Sequence, residues 1–210
     1  MRYRNFIPRF LVLALAISGL SCKQLQDLQK AMTNLSRCSF KLESINGFEL
    51  MGVGLSNKSK IKDFSLLDAA KLAAGFTRGS FPASFTLNVA AINPNDGTGG
   101  TPNASATLTS FAWTLILDNT TTITGNITDP IVIPGTGQQS IIPLKMDLDL
   151  AKFFKDKGYE SVANLALALG GVNGSPSRVT LRAKPRIRTD FGEITYPGEI
   201  DIIDKEFKAQ

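Results

Sequence analysis

Apolar and polar residues alternate most regularly between Phe85 and Ala91. Phe85, Leu87, Val89 and Ala91 fall on one side of a two-residue period, with Thr86, Asn88 and Ala90 on the other. That pattern predicts a β-strand with one buried face. Pro94 stops it for want of an N–H to give a ladder. Asn93, Asn95, Asp96 and Gly97 supply the following turn. The same period recurs at Phe111, Trp113, Leu115 and Leu117, and again at Ile142, Leu144, Met146, Leu148 and Leu150. It returns at Val179, Leu181, Ala183 and Ile187, where the intervening residues are largely basic. Ile194, Tyr196, Ile200 and Ile202 close the series, bent at Pro197-Gly198.

Shorter runs fill the gaps. Asp118-Asn119 predicts a turn into a threonine-rich strand over Thr120 to Thr128. Ile131-Val132-Ile133 sits among two prolines and two glycines, which suits an edge or a bend. Phe40 to Ser56 reads as two strands broken at Asn46-Gly47, a strong turn pair. Helical spacing is rarer. Leu25, Leu28, Met32 and Leu35 make one apolar stripe on a short helix within Lys23 to Arg37, under two heptads long. Ser65-Leu66-Leu67-Asp68 is a capping box opening a helix from Leu66 to Ala74, stopped by Gly75. Ala151 to Leu169 reads as a further helix, interrupted at Gly158, with Phe153, Phe154, Val162, Leu165 and Leu169 inward. The expected fold is therefore mainly β, a β-sandwich with two added helices.

The amino terminus reads as an address. Arg2, Arg4 and Arg9 precede the apolar run Phe10 to Ile17, too short to span a bilayer, which needs about 20 such residues. Small residues before a cleavage point complete a secretory signal peptide. Ser18-Gly19-Leu20-Ser21-Cys22 resembles a bacterial lipoprotein signal, in which the cysteine becomes the lipid-bearing first residue. Leu20 stands two places before Cys22 where that pattern has three, and Gly19-Leu20-Ser21 also suits an ordinary signal peptidase. A cysteine at this junction favours lipidation, with several acyl chains giving stable anchoring at about 0.8 kcal/mol per buried CH₂. The alternative is a Cys22–Cys38 disulfide, Cys38 otherwise being a small buried apolar residue. The expected organisation is a signal peptide over 1–21, a tether over 22–37 and the β-domain over 38–210.

Charge and composition narrow the classes. The net charge of +5 includes the three leader arginines, so the mature chain carries +2 and does not read as a nucleic-acid protein. The chain has no histidine, which removes the commonest metal ligand and general base. Asp147 and Asp149, two apart on one strand, could hold Ca²⁺ or share a proton, but a solvated face beside Lys145 and Lys152 is the preferred reading. Asn93, Asn95 and Asp96 could ligate Ca²⁺, yet their types are what a turn needs. Arg178, Arg182, Lys184, Arg186 and Arg188 form a basic stripe suited to anionic head groups or an acidic partner. Cross-strand pairing with Glu193, Glu199 and Asp201 is rated about twice as plausible. Phe111 and Trp113 are expected in the core. The sequons at Asn34, Asn57, Asn103, Asn119 and Asn126 fit a threonine- and asparagine-rich β-chain better than glycan sites.

The run Phe85 to Asn95 with its Asn93-Pro94 ending, the strand Phe111 to Leu117, Gly125, Ile133-Pro134-Gly135 and the strand Leu144 to Leu150 together resemble the late embryogenesis abundant type 2 domain. That domain is also called the water-stress and hypersensitive-response domain. The resemblance covers about Pro82 to Leu150 and extends to Val179 to Ile202. It implies an immunoglobulin- or fibronectin-III-like sandwich, carries over no catalytic residues, and leaves the Ala151 to Leu169 helix outside the minimal domain. The expected function is a membrane-anchored, non-enzymatic envelope lipoprotein with a binding or stress-protective domain, in the periplasm or at the surface, held to the inner or outer membrane through Cys22. No cofactor or metal is expected. The alternatives are a subunit of an envelope assembly, joined through a sheet edge or the Leu25 to Leu35 stripe, and a hydrolase using Asp147 or Asp149. The hydrolase lacks a histidine base, a Gly-x-Ser-x-Gly turn and a phosphate loop.

Overall fold

The strand predicted from Phe85 onward lies inside a sheet, with a full-length partner on each side. In the computed structural model, which describes residues 25–55, 64–99, 102–154, 165–166, 169, 178–189 and 192–203, the described strands form two antiparallel sheets. The first contains β1 (Ser39–Leu50), β2 (Val53–Gly54), β3 (Pro82–Ile92) and β7 (Gln139–Asp149), in the order β2-β1-β3-β7. The second contains β4 (Ala106–Leu117), β5 (Thr120–Gly125), β6 (Ile131–Ile133), β8 (Val179–Thr189), β9 (Gly192–Thr195) and β10 (Ile200–Ile203). Its path is β10-β8-β4-β5, with β6 also on β4 and β9 also on β8.

Register explains the burial. Phe85, Leu87 and Val89 of β3 stand opposite Met146, Leu144 and Ile142 of β7, so one apolar row crosses both strands. Such cross-strand pairs are the unit of sheet stabilisation. On the facing sheet, Trp113, Leu115 and Leu117 of β4 stand opposite Ala183, Leu181 and Val179 of β8. Residues of both sheets belong to one buried cluster. Phe40 of β1 meets Phe111 of β4 with ring centroids 5.5 Å apart, a direct contact between the two layers. The inward period of β4 slips between Leu108 and Phe111, where a bulge re-phases the strand against β8. Asn126 Oδ1 accepts the Phe111 N–H at 2.7 Å beside that slip.

Two expectations about boundaries are corrected. Asn46-Gly47 does not divide two strands: β1 continues past it still paired with β3, and Gly47 (φ 61°) marks a shift of register between Asn46 and Glu49. The hairpin turn is Met51-Gly52, both at positive φ (55° and 71°), joining Leu50 to its partner Val53. The second helix, α2 (Leu66–Arg78), runs through Gly75 and ends at Gly79, whose φ is 64°. Ser80 N–H donates to the Gly75 carbonyl at 3.2 Å, closing the helix end. Gly75 serves packing instead: a Cβ there would lie 2.1 Å from Met51 Sδ. The capping box forms as expected, with Ser65 Oγ accepting from Asp68 N–H and Asp68 Oδ2 from Ser65 N–H, both at 3.1 Å.

The helix expected over Ala151 to Leu169 is described only in part. α3 (Leu150–Phe153) is a single turn, and beyond it Leu165, Ala166 and Leu169 are buried, while 155–164 lie outside the described residues. The first helix, α1 (residues 25–37), carries the predicted stripe but divides it. Leu35 is 2% exposed and belongs to the core, whereas Leu25 is 65% exposed. Its carboxyl end is thus docked on the domain. Among the described residues no helix is long and apolar enough to cross a membrane.

Candidate functional site

The two carboxylates singled out from the sequence have different surroundings. Asp147 is exposed on β7. Asp149 caps α3: its Oδ1 accepts the Ala151 N–H at 3.1 Å and the Phe81 N–H at 2.7 Å, and its Oδ2 accepts the Ser80 hydroxyl at 2.7 Å. It therefore ties the end of β7 to the chain entering β3, which corrects the reading of a solvated face at this position. Partial burial pushes its pKa up. The hydrogen bonds from Ser80, Phe81 and Ala151, with Lys152 nearby, outweigh that and hold it below 3.8. A depressed folded pKa adds stability above the unfolded value of 3.8, lost as pH falls through the folded value. Asp149→Ala leaves two N–H groups without their acceptor and is expected to destabilise by about 2 kcal/mol at pH 7. Urea titrations at pH 7 and pH 3 check this: the difference between wild type and variant shrinks at the lower pH, and an equal difference at both would remove the carboxylate from the account.

The asparagines after β3 are not a surface turn. Asn93 is fully buried and Asn95 is 1% exposed. Asn93 Nδ2 donates to the carbonyls of Ala104 (2.8 Å) and Ile133 (3.1 Å), while its Oδ1 accepts from Asn95 N–H (3.2 Å) and Asn95 Nδ2 (2.7 Å). Asn95 Nδ2 also reaches the Asn34 carbonyl of α1 at 3.0 Å. The pair cross-links four chain segments through buried polar groups, which explains their residue type better than turn sterics or Ca²⁺ ligation. Asp96 does turn the chain, accepting from Thr98 N–H and its hydroxyl. Among the described residues no group of three potential metal ligands comes together.

The basic stripe forms on β8. Arg182, Lys184, Arg186 and Arg188 point outward, alternating with buried Leu181, Ala183, Pro185 and Ile187. Cross-strand pairing accounts for half of it: Arg182 Nε lies 2.8 Å from Asp201 and Arg186 3.5 Å from Glu193. Exposed pairs of this kind contribute about 0–1 kcal/mol each. Lys184 and Arg188 have no carboxylate within ion-pair distance among the described residues. Arg178 enters through its backbone, its N–H donating to Asp118 Oδ1 at 2.9 Å and its carbonyl accepting from Asp118 N–H. Arg188 reaches a hollow of about 460 Å³ between α1 and the ends of β4 and β8, lined also by Lys30, Asn34, Asn95 and Ser105.

Cys22 lies outside the described residues, as does Asn57. Cys38 is a half-buried free thiol, its Sγ 3.6 Å from the Asn34 carbonyl, with burial pushing its pKa up to about 11. A thiol that rarely ionises is a poor nucleophile at neutral pH. Of the remaining sequon positions, Asn119 sits at φ 65° in the β4–β5 turn and Asn126 braces β4 through its side chain. Phe111 and Trp113 are buried as expected. The sequence reading missed a cleft beside Trp113, because its walls come from segments far apart in the chain.

No family model matches the chain. No curated protein matches it either. Among solved structures, the chain is similar to a crystal structure of a protein from Archaeoglobus fulgidus, with 11% identity, a TM-score of 0.34, and coverage of 79% of this chain and 98% of that one. It is also similar to a solution structure of a protein from Arabidopsis thaliana, with 11% identity, a TM-score of 0.35, and coverage of 80% of this chain and 77% of that one.

Proposed function

We propose that this chain is a non-enzymatic lipoprotein of the bacterial cell envelope, anchored by lipid on Cys22. Its immunoglobulin- or fibronectin-III-like sandwich, of the late embryogenesis abundant type 2 kind, binds or shields an envelope component. The observation that carries the reading is the junction itself: three arginines, a short apolar run, small residues, then Cys22. The described domain supports it in two ways. Leu35 seats the end of α1 in the core, so a helix of about 20 Å joins the region of Cys22 to the sheets. Asp149, one of the two acids a hydrolase would use, is engaged as a cap by three donors.

Mass spectrometry of the mature amino terminus tests the anchor. The expected product begins at Cys22 and carries a diacylglycerol thioether and an N-linked acyl chain. Cys22→Ser is expected to move the protein from the membrane fraction to the soluble one. A mature chain with an unmodified Cys22, or a full-length chain retaining Met1, would overturn the proposal.

A further inference from the structure

The apolar stripe of α1 emerges from the core by degrees. Leu35 is 2% exposed, Met32 is half-buried against the core, Leu28 is 41% exposed and Leu25 is 65% exposed. Steps of three, four and three residues keep all four on one side of the helix. The strip that begins inside the domain therefore runs out into solvent towards the amino end. Gln26 and Lys30 stand on the other side, both exposed, with Lys30 3.6 Å from Asp27.

Two leucines on one short helix offer far less than the roughly 800 Å² per partner of a stable protein interface. A surface to which the chain is already fixed needs no such area, because the fixing supplies a high local concentration. Only Lys23 and Gln24 separate Cys22 from Leu25, a reach of at most about 11 Å. Acyl chains on Cys22 therefore keep Leu25 beside the boundary of the bilayer. The other exposed leucines are out of that reach. Leu66 (92%) and Leu67 (66%) lie on α2, whose Gly75 packs beside Met51 just past the end of β1. α1 joins the opposite end of that strand: Ser39 pairs with Ile92, whereas Leu50 pairs with Ala83. At about 3.3 Å per residue, Ala83 and Ile92 of β3 stand about 30 Å apart.

We propose that the amino-terminal half of α1 lies in the interface of a phospholipid bilayer, with Leu25 and Leu28 among the glycerol and upper acyl groups and Gln26 and Lys30 turned to water. Leucines so placed bury their apolar surface where the polar face of the helix stays hydrated. One helix then has Leu35 in the core and Leu25 in the lipid, so it sets the tilt of the domain and keeps α2 at the end away from the bilayer. The proposal deepens the anchoring put forward above and rests on the acylation of Cys22.

The test uses the acylated protein purified from membranes and reconstituted in vesicles of phosphatidylethanolamine and phosphatidylglycerol. One nitroxide at a time is placed through Leu25→Cys, Gln26→Cys, Leu28→Cys, Lys30→Cys or Leu67→Cys, with Cys38→Ala removing the remaining thiol. Where that change costs the fold, Cys38 is kept, since its thiol rarely ionises and labels slowly. Electron paramagnetic resonance compares collisions with oxygen, which concentrates in lipid, against collisions with a water-soluble nickel chelate. The ratio is expected to be about fivefold higher at positions 25 and 28 than at 26 and 30, with position 67 at the value for water. Mass spectrometry of the same sample reads the acylation. An unmodified Cys22 would overturn the anchor and this proposal together. An acylated chain with an even profile over 25–30, or with position 67 as deep as position 28, would overturn this proposal alone.

Discussion

Replacing Phe111 by alanine is expected to destabilise the protein by about 4 kcal/mol, the largest loss anticipated for a single side chain here. The ring is fully buried. It projects from β4 into the shared core and meets Phe40 across the layers at 5.5 Å and 40°. Aromatic pairs in that range add about 0.5–1.5 kcal/mol to the burial itself. Its backbone is pinned as well, through the N–H bond to Asn126 and the register with Pro185 of β8. With the strand held on both sides, little can move to fill the void, so the cavity persists and adds to the transfer loss. Urea unfolding is expected to show a lower midpoint with an unchanged slope. A loss under about 1.5 kcal/mol would mean that the layers collapse onto the gap, and that the packing described between β1 and β4 is looser than drawn.

Asn93→Ala is expected to follow at about 3 kcal/mol. The fully buried side chain makes four hydrogen bonds, two donated to the carbonyls of Ala104 and Ile133 and two accepted from Asn95. Its own carbonyl accepts from Gly137 N–H at 3.0 Å. Alanine keeps that last bond and strands the other partners in a buried corner. Unsatisfied buried groups, rather than the net worth of the bonds, set the magnitude. Asn93→Asp should be worse, since a carboxylate would face two carbonyl oxygens with nothing to donate. Equilibrium unfolding of both variants checks the order. If Asn93→Asp proved the milder change, the donor role assigned to Nδ2 would be wrong.

Much of the layering was legible from the period of two. Phe85 to Ala91, Phe111 to Leu117, Ile142 to Leu148 and Val179 to Ile187 are strands because one face of each is apolar and buried. Asp118-Asn119 makes its turn, at φ 46° and 65°, because both residue types tolerate that backbone. What escaped were positions where one residue type serves two ends. An asparagine suits a turn, yet Asn93 and Asn95 serve as interior cross-links. Gly75 suits a helix stop, yet it makes room for Met51. Asn46-Gly47 suits a hairpin, yet β3 pairs on both sides of it and carries the strand through. The cleft at Trp113 had no local signal, since Gly125, Ile127 and Ile141 meet only once β5 and β7 take their places at the sheet edges.

The same placement of β7 bears on how copies of this protein behave when crowded. Among the described residues no strand pairs with its outer side, which leaves an edge eleven residues long, the kind of border along which sheets fuse into fibrils. Pro143 removes one donor from that border, and exposed Lys145 and Asp147 would have to shed their hydration before a foreign strand could lie flat along it. These three residues therefore act against a foreign strand pairing along β7.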